Sequence, residues 1–273
     1  MFETRVKNFY TATVNNEWKR LVQDAYHRLE LDTTLHFLEK YLPAQGLVLD
    51  AGGGPGRYTV ELAQRGYHMV LLDVTPANLE FAWRQIRRRK LQANLKGLVE
   101  ASIVDLSQFP NETFDAVICL GGPLSHILDA GQRTQAVSEL LRVARQSAPV
   151  FISVIGRLSL LTSELIHFQH EIEMPLFTQI RDTGDYEGDS GFTACHFFLP
   201  EEFQAAFDLP EVEVLEIAGL EGIGTHHNRQ VDILAKNPER WKIWWETHLQ
   251  TCTHPSVVGI SEHMLGVCRK HLP

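Results

Sequence analysis

A glycine-rich loop between a short apolar segment and a helix constrains the fold of this chain more than any other feature. Residues 47–49 read Leu-Val-Leu and lead into Asp50, and the loop AGGGPG separates this aspartate from a helical stretch at residues 58–64. Glycine permits a positive φ and a close backbone approach to a ligand, because it has no Cβ. A strand, a glycine loop and a helix in this order indicate a nucleotide-binding unit of an α/β protein.

The same alternation of strands and helices continues along the chain. Helices are predicted over residues 76–91 and 132–145. Several of the apolar segments carry no polar face, so a parallel sheet covered by helices on both sides is expected. We therefore predict a doubly wound, Rossmann-like α/β fold with a mostly parallel, seven-stranded sheet. Its predicted strands are residues 47–49, 68–72, 97–104, 114–120, 150–155, 212–218 and 263–268.

The chain is predicted to be a single domain, residues 1–273, with additions to the sheet. Residues 1–43 read as helices and precede the first strand. Residues 157–200 break the rhythm of strands and helices and are rich in aromatic side chains, which predicts a cap-like insertion. Residues 222–262 form a helical insertion before the last strand. We expect both insertions to shape a partly apolar pocket for a small molecule.

Composition and charge indicate a globular protein whose main partner is not a polyanion. Hydrophobic residues make up 44% of the chain and charged residues 22%, and the formal net charge is −9. Since DNA and RNA repel a negative protein, no nucleic-acid partner is expected. Residues 1–20 contain no apolar stretch that could serve as a signal peptide, and no apolar stretch of the sequence is near the roughly 18 residues that a membrane helix needs. With four cysteines and no disulfide pattern, we expect a cytoplasmic protein without a membrane partner.

The spacing of the glycines argues against two other classes of nucleotide-binding enzyme. The NAD-type fingerprint G-x-G-x-x-G needs a third glycine, and Arg57 or Thr59 stands there, depending on the register. The P-loop spacing with Gly-Lys-Ser/Thr is also missing from the sequence. An NAD-type oxidoreductase is therefore the weaker alternative, and an NTPase is disfavoured.

Four motifs together resemble the class I S-adenosylmethionine-dependent methyltransferases, in particular small-molecule-type bacterial and archaeal members. They read VLDAGGGPGRY, LLDVTP, VDLSQFP and FDAVICLGGPLSH. In this family a D-x-G-x-G-x-G loop holds the cofactor, and the spacing fits at Asp50, Gly52, Gly54 and Gly56. The resemblance implies the cofactor S-adenosyl-L-methionine, the product S-adenosyl-L-homocysteine and methyl transfer to a small-molecule acceptor. One departure is QSAP at residues 146–149, where many relatives have a Pro-Gly-Gly turn.

The resemblance also assigns cofactor contacts to residues at the predicted strand ends. Asp73, with Val74 beside it, is expected to accept hydrogen bonds from both ribose hydroxyls. Asp105 is expected near the adenine amine, with Leu106 against the ring, and Gly121 leaves room for the methionine part. For the two aspartates the alternative is a helix cap or turn role, and for the glycine a plain turn.

Residues 1–43 have two interpretations once the resemblance is considered. The family places such a segment beside the cofactor, so the helices either cover the site as a lid or pack on the sheet as plain amphipathic helices. The side chains that a lid would bring to the site are those of Tyr10, Trp18, Arg20 and Arg28.

Histidines are the candidates for a general base, which methyl transfer needs only where the acceptor must lose a proton. His126 follows the Gly-Gly-Pro after the fourth strand, and His196 lies at the end of the irregular insertion. We predict these two as catalytic residues and interpret His226 and His227 as surface residues at a helix start. Cysteine and histidine spacings match no zinc motif, so no metal is expected.

The resemblance leaves open one function of another kind. Cofactor binding and methyl transfer use separable residues, so a non-catalytic regulator or scaffold that binds S-adenosylmethionine would carry the same loop. Binding without formation of S-adenosylhomocysteine distinguishes such a protein from an enzyme.

Overall fold

The computed structural model describes residues 2–188 and 191–271 of the chain. Within them the strands are β1 (Leu47–Ala51), β2 (His68–Asp73), β3 (Leu95–Glu100), β4 (Ala116–Cys119), β5 (Pro149–Ile155), β6 (Asp185–Tyr186), β7 (Cys195–His196), β8 (Val212–Gly219) and β9 (His263–Lys270). The α-helices are α1 (Phe2–Arg20), α2 (Ala25–Tyr41), α3 (Arg57–Gln64), α4 (Pro76–Arg88), α5 (Ala130–Val143), α6 (Arg157–His167), α7 (Pro175–Thr183), α8 (Pro200–Ala205), α9 (Asn228–Leu234), α10 (Pro238–Thr251) and α11 (Pro255–Val258). Short 3-10 helices lie at Pro123–His126, Gln169–Glu171 and Gly222–Gly224.

One sheet organises the described chain, with seven strands in the order β3-β2-β1-β4-β5-β9-β8. Strands β1 to β5 pair in parallel, and β9 runs antiparallel to both of its neighbours. The strand order reverses between β1 and β4, which opens a crevice at the carboxyl ends of these strands. The predicted Rossmann-like, mostly parallel seven-stranded sheet is confirmed.

The central strands are buried because helices cover both faces of the sheet. On one face Leu49 of β1 belongs to the same core cluster as Leu140 of α5. On the other face Val48 of β1 packs in a cluster with Leu38 of α2. Successive strand residues point to opposite faces, so a uniformly apolar strand serves both cores. Each such side chain contributes roughly 1.5–3 kcal/mol when fully buried.

The third strand ends earlier than the sequence predicts. We predicted a strand at residues 97–104, whereas β3 ends at Glu100, opposite Asp73 at the end of β2. As the edge strand, β3 loses its only ladder partner there. Beyond it the Asp105 N–H donates to the Ser102 carbonyl at 3.1 Å, and Oδ1 of Asp105 accepts from the Ser107 N–H at 3.0 Å. Such local hydrogen bonds favour a turn over an extended strand.

Some aromatic side chains of the two insertions are buried within the insertion or against the N-terminal helices. In segment 157–200, Tyr186, Cys195 and Phe197 form a small core of their own. In segment 222–262, Trp241 packs against a cluster that contains Tyr26 of α2. None of the described helices combines the length and the apolar character that crossing a membrane requires.

Candidate active site

A cavity of about 700 Å³ opens at the carboxyl ends of β1, β2 and β4, where the strand order reverses. Its wall comes from α1, the glycine loop, the segments after β3 and β4, and segment 157–200. The volume lies in the range of sites that enclose small molecules. The lining residues that matter most below are Tyr10, Arg20, Gly52, Gly53, Gly54, Asp73, Val74, Asn78, Gly121, His126 and Asp185.

The glycine loop needs residues without a Cβ at two neighbouring positions. A Cβ on Gly52 would lie 2.6 Å from the side chain of Pro123, and Gly52 has a φ of +75°. A Cβ on Gly53 would lie 2.4 Å from Cγ of Asp50. Gly53 was not among the predicted site residues, although three consecutive glycines were the available signal. Gly56 lies behind the loop as the N-cap of α3, outside the cavity lining.

Asp50 supports the loop from beneath instead of forming part of the cavity wall. Its side chain is fully buried, and Oδ2 accepts a hydrogen bond from the Thr59 hydroxyl at 2.6 Å. Burial raises the pKa of Asp50 to about 7, the nearby Asp73 adds to this rise, and the Thr59 hydrogen bond opposes it. The structure does not support the predicted direct contact between Asp50 and the cofactor. Asp50 does not line the cavity, and Gly53 lies above its carboxylate.

Asp73 and Val74 line the cavity, as the predicted cofactor contacts require. Oδ2 of Asp73 accepts from the Gly54 N–H at 2.9 Å, and Oδ1 accepts from the Thr75 N–H at 2.8 Å. Burial raises the pKa of Asp73, and these donors oppose the rise. Asp73 therefore stabilises the local turn through these hydrogen bonds and also lines the cavity.

Asn78 offers a buried polar atom to the same part of the cavity. Its Nδ2 donates to Oδ1 of Asp73 at 3.2 Å, and the residue is 1% exposed. Among the described residues, no protein group bonds to its Oδ1. Because buried polar atoms are normally paired, this oxygen indicates a ligand with a hydrogen-bond donor.

Asp105 and Leu106 lie outside the cavity lining, contrary to prediction. Asp105 is exposed in the turn beyond β3, and Leu106 is fully buried in the main core. Since β3 ends at Glu100, the chain reaches the cavity wall four or five residues earlier than expected. The wall is formed there by residues 101–104.

Gly121 and Arg20 lie next to each other at the end of β4. The Gly121 N–H donates to Oγ of Ser153 at 2.8 Å, and a Cβ on Gly121 would lie 3.7 Å from Nη2 of Arg20. Both arginine Nη atoms donate to the carboxylate of Glu30. α1 thus places a cation in the cavity wall.

A buried ionic cluster holds Glu30 from behind. Nδ1 of His263 lies 2.8 Å from Oε1 of Glu221 and 3.6 Å from Oε2 of Glu30. Burial alone would lower the pKa of His263, but these two carboxylates raise it to about 9. Potential metal-ligand atoms of Glu30, Glu221 and His263 lie within 4.8 Å of one another. A proton shared between the imidazole and the carboxylates accounts for this arrangement.

Tyr10 and His126 form a hydrogen-bonded pair in the cavity wall. Nδ1 of His126 lies 2.8 Å from the Ala194 carbonyl, so this nitrogen carries the proton and donates. Nε2 then accepts from the Tyr10 hydroxyl at 2.7 Å. Burial lowers the pKa of His126 and raises that of Tyr10 well above its usual value, so both groups are neutral near pH 7.

His196 does not line the cavity, in contrast to its predicted catalytic role. It is 2% exposed, with Nδ1 2.6 Å from Asp185 and Nε2 2.6 Å from Glu202. Asp185 lines the cavity in its place. The surface interpretation of His226 is also wrong, because this mostly buried ring hydrogen-bonds to Ser159.

The side chains that the insertions contribute to the pocket are polar, although both insertions are rich in aromatic residues. From segment 157–200 the lining residues are Gln179, Asp185 and Glu187, and no described residue of segment 222–262 lines the cavity. The expectation that the insertions shape the pocket therefore holds for segment 157–200 and is wrong for the described residues of segment 222–262. Aromatic rings such as those of Tyr186, Phe197 and Trp241 lie in the small cores described above.

Comparison with known proteins agrees with this geometry. Residues 48–147 match a family model described as a methyltransferase domain. The glycine/sarcosine N-methyltransferase of Parasynechococcus marenigrum is 28% identical over 139 residues, which cover 50% of this chain and 48% of that protein. The ubiquinone biosynthesis O-methyltransferase of Hahella chejuensis is 32% identical over 111 residues, covering 40% of this chain and 43% of that protein. The chain thus spans less than half of the length of either relative.

A solved structure extends the likeness to the whole fold. An S-adenosylmethionine-dependent methyltransferase from Methanosarcina mazei superposes with a TM-score of 0.59 at 18% identity, over 87% of this chain and 98% of that chain. The sheet order and the loop above the carboxyl ends define a Rossmann-like nucleotide-binding domain. Together with the family match over residues 48–147, this fold supports the predicted resemblance to the class I S-adenosylmethionine-dependent methyltransferases. The cofactor of this family is S-adenosyl-L-methionine.

The residues of the cavity fit that cofactor. The loop at Gly52 and Gly53 leaves space that a Cβ would fill, and a Cβ on Gly54 would meet no atom closer than 3.9 Å. Asp73 and the unpaired oxygen of Asn78 supply hydrogen-bond acceptors for hydroxyl groups. These features match a ligand with a ribose.

Proposed function

We propose that the protein transfers the methyl group of S-adenosyl-L-methionine to a small-molecule acceptor and releases S-adenosyl-L-homocysteine. The observation that carries this proposal is the composition of one cavity. Its wall contains the glycine loop with Asp73 on one side, and Tyr10, His126 and residues of segment 157–200 on the other. One cavity thereby offers room for a cofactor and an acceptor together.

The cofactor would be held by residues from four parts of the chain. Gly52 and Gly54 provide backbone contacts, and Asp73 would accept hydrogen bonds from the ribose. Residues 101–104 form the wall that suits the adenine. Arg20, beside Gly121, would bind the carboxylate of the methionine part, because a guanidinium pairs well with a carboxylate.

Bound S-adenosyl-L-methionine supplies a methyl group on a positively charged sulfur, which leaves little covalent chemistry for the protein. The chain's contribution is positioning, which is worth roughly 7–11 kcal/mol in well-oriented reactions. Tyr10, held by His126, would orient the acceptor, and Nε2 of His126 is a candidate base for an acceptor that must lose a proton.

The segments that enclose the cavity are proposed to act as its cover. Helix α1, within residues 1–43, contributes Tyr10 and Arg20, and the insertion at residues 157–200 contributes Asp185. The Ala194 carbonyl of the insertion also orients His126. Such a cover excludes water and strengthens electrostatic interactions inside.

The test is a turnover assay for S-adenosyl-L-homocysteine with the purified chain and a broad panel of small metabolites. We expect release of the product with at least one acceptor class above the rate without acceptor. Tight binding of the cofactor with no release for any compound would favour the non-catalytic scaffold. Binding of NADH in place of the sulfur cofactor would favour the oxidoreductase.

A further inference from the structure

A hydrogen-bonded network of charged side chains connects the cavity to the interior of segment 157–200. Asp185 lines the cavity, and its Oδ1 lies 2.6 Å from Nδ1 of His196 on the neighbouring strand. Nε2 of His196 lies 2.6 Å from Oε1 of Glu202. Both ring nitrogens lie within hydrogen-bond distance of a carboxylate oxygen, so the imidazole bridges Asp185 and Glu202.

Arginines hold Glu202, the residue of this network that lies farthest from the cavity. Oε2 of Glu202 accepts from Nη2 of Arg157 at 3.1 Å, and Arg133 lies 3.6 Å from Oε1. Burial alone would raise the pKa of Glu202, but His196 and Arg157 lower it below its usual value. Glu202 is therefore ionised at neutral pH, and His196 is held between two anions. The network fixes the direction of Asp185, whose side chain stays 36% exposed.

The cavity around Asp185 carries an excess of negative charge. Glu3 of α1, Asp129 before α5 and Glu187 also belong to its lining. The arginines among the described lining residues are Arg20 and Arg57. Arg20 is bound to Glu30 and is assigned above to the carboxylate of the cofactor, and Arg57 donates to the Trp18 carbonyl and lies over its ring at 3.7 Å. An anionic acceptor would therefore meet more carboxylates than arginines in the cavity lining.

We propose, building on the methyl transfer proposed above, that Asp185 binds the acceptor and that the acceptor is a small primary or secondary amine. The amine enters as an ammonium ion, which forms a charge-assisted hydrogen bond with Asp185. It gives one proton to this carboxylate, which passes it to solvent at the cavity mouth. His196 is a positioning residue, because it acts on the acceptor only through Asp185.

The charge balance of the reaction favours this acceptor class. The nitrogen lone pair forms the new N–C bond as the C–S bond breaks, and the electron pair of that bond returns to sulfur. The positive charge passes from sulfur to the methylated ammonium product. A carboxylate beside the nitrogen stabilises charge where it develops. A hydroxyl, thiol or carboxylic acid would instead have to become an anion beside Asp185.

The proposal is tested with a matched panel in which propyl, cyclohexyl and benzyl skeletons each carry an amine, a hydroxyl, a thiol or a carboxylate. We expect S-adenosyl-L-homocysteine to form with amines and not with their counterparts. For the best amine, Asp185→Asn should raise KM about 10- to 100-fold, the usual range for a lost charged hydrogen bond. Calorimetric affinity for S-adenosyl-L-homocysteine should stay within two-fold of wild type.

Two further variants separate recognition from folding. His196→Gln should raise KM for the amine and shift the pH dependence of KM while kcat changes little, which a purely structural role would not produce. Asp182→Asn is the matched control, since this exposed aspartate pairs with Arg181 and does not line the cavity. It should change neither KM nor cofactor affinity.

Three results would overturn the proposal: no amine is methylated, another acceptor class is preferred, or Asp185→Asn leaves KM unchanged. Failure of the proposed methyl transfer itself looks different. In that case the protein does not bind S-adenosyl-L-methionine in calorimetry, or forms no product with the broad metabolite panel.

Discussion

The Tyr10 hydroxyl donates to Nε2 of His126 at 2.7 Å across 116 residues of sequence. The contact joins helix α1 to the segment after β4, and the Ala194 carbonyl fixes the imidazole from its other side. Three parts of the chain therefore meet at one neutral pair in the cavity wall. This pair is the centre of the proposed acceptor site.

Replacing Tyr10 by phenylalanine should impair methyl transfer without impairing cofactor binding. The variant keeps the ring but leaves Nε2 of His126 without its donor and removes the hydroxyl from the cavity. Because groups that orient or deprotonate a substrate contribute roughly 10²- to 10⁴-fold, we expect kcat to fall at least 10²-fold. Tyr67→Phe is the control, as its hydroxyl donates to the Pro43 carbonyl and does not line the cavity. Equal rates for both variants would remove Tyr10 from the mechanism.

Gly53→Ala should weaken cofactor binding by at least ten-fold. The new Cβ would lie 2.4 Å from Cγ of Asp50, whose side chain is fully buried and cannot move aside, so the loop itself must shift. Gly97→Ala serves as control, since its nearest neighbour would be at an ordinary 3.5 Å. Calorimetry with S-adenosyl-L-homocysteine measures the effect. An unchanged affinity for Gly53→Ala would mean that the loop does not contact the cofactor.

Asp50 should make stability fall as the pH rises from about 4 to about 7. Its folded-state pKa is raised from 3.8 to about 7, so the folded protein holds a proton that the unfolded chain releases. The unfolding free energy of wild type minus that of Asp50→Asn should fall over this window by about 4 kcal/mol. Urea unfolding at several pH values measures it, with Asp208→Asn at an exposed site as control. A difference that does not change with pH would contradict the raised pKa.

His263 should act in the opposite direction at higher pH. Its folded-state pKa is raised from 6.5 to about 9, so its contribution to stability is complete below about pH 6.5 and is lost as the pH rises through 9. His263→Gln should therefore destabilise the protein by about 3 kcal/mol more at pH 6 than at pH 10. His170→Gln is the control, because the His170 side chain is 73% exposed. A loss of stability that is equal at both pH values would contradict a protonated His263.

Features that depend on local pattern were predictable from the sequence. The seven strands, the glycine loop and the cavity positions of Asp73 and Gly121 follow from apolar segments and their ends. The sheet order then brings the carboxyl ends of the strands to one edge. Asp105 was misplaced because the end of β3 is determined by its neighbour β2, which a local pattern does not reveal.

Contacts between distant segments were not predictable in the same way. His196 was a plausible base by position, but its place between Asp185 and Glu202 results from a hairpin and a helix start that no periodicity specifies. The support of Glu30 by His263 joins α2 to the last strand. Such pairings depend on tertiary packing, in which charged side chains find partners only after the sheet has formed.

The most direct test of the whole account is calorimetric titration of the wild-type protein with S-adenosyl-L-methionine and, separately, with NADH. The cavity geometry predicts saturable, one-to-one binding of the sulfur cofactor, at least ten-fold weaker in Gly53→Ala, and no binding of NADH. Binding of NADH without binding of S-adenosyl-L-methionine would contradict the account.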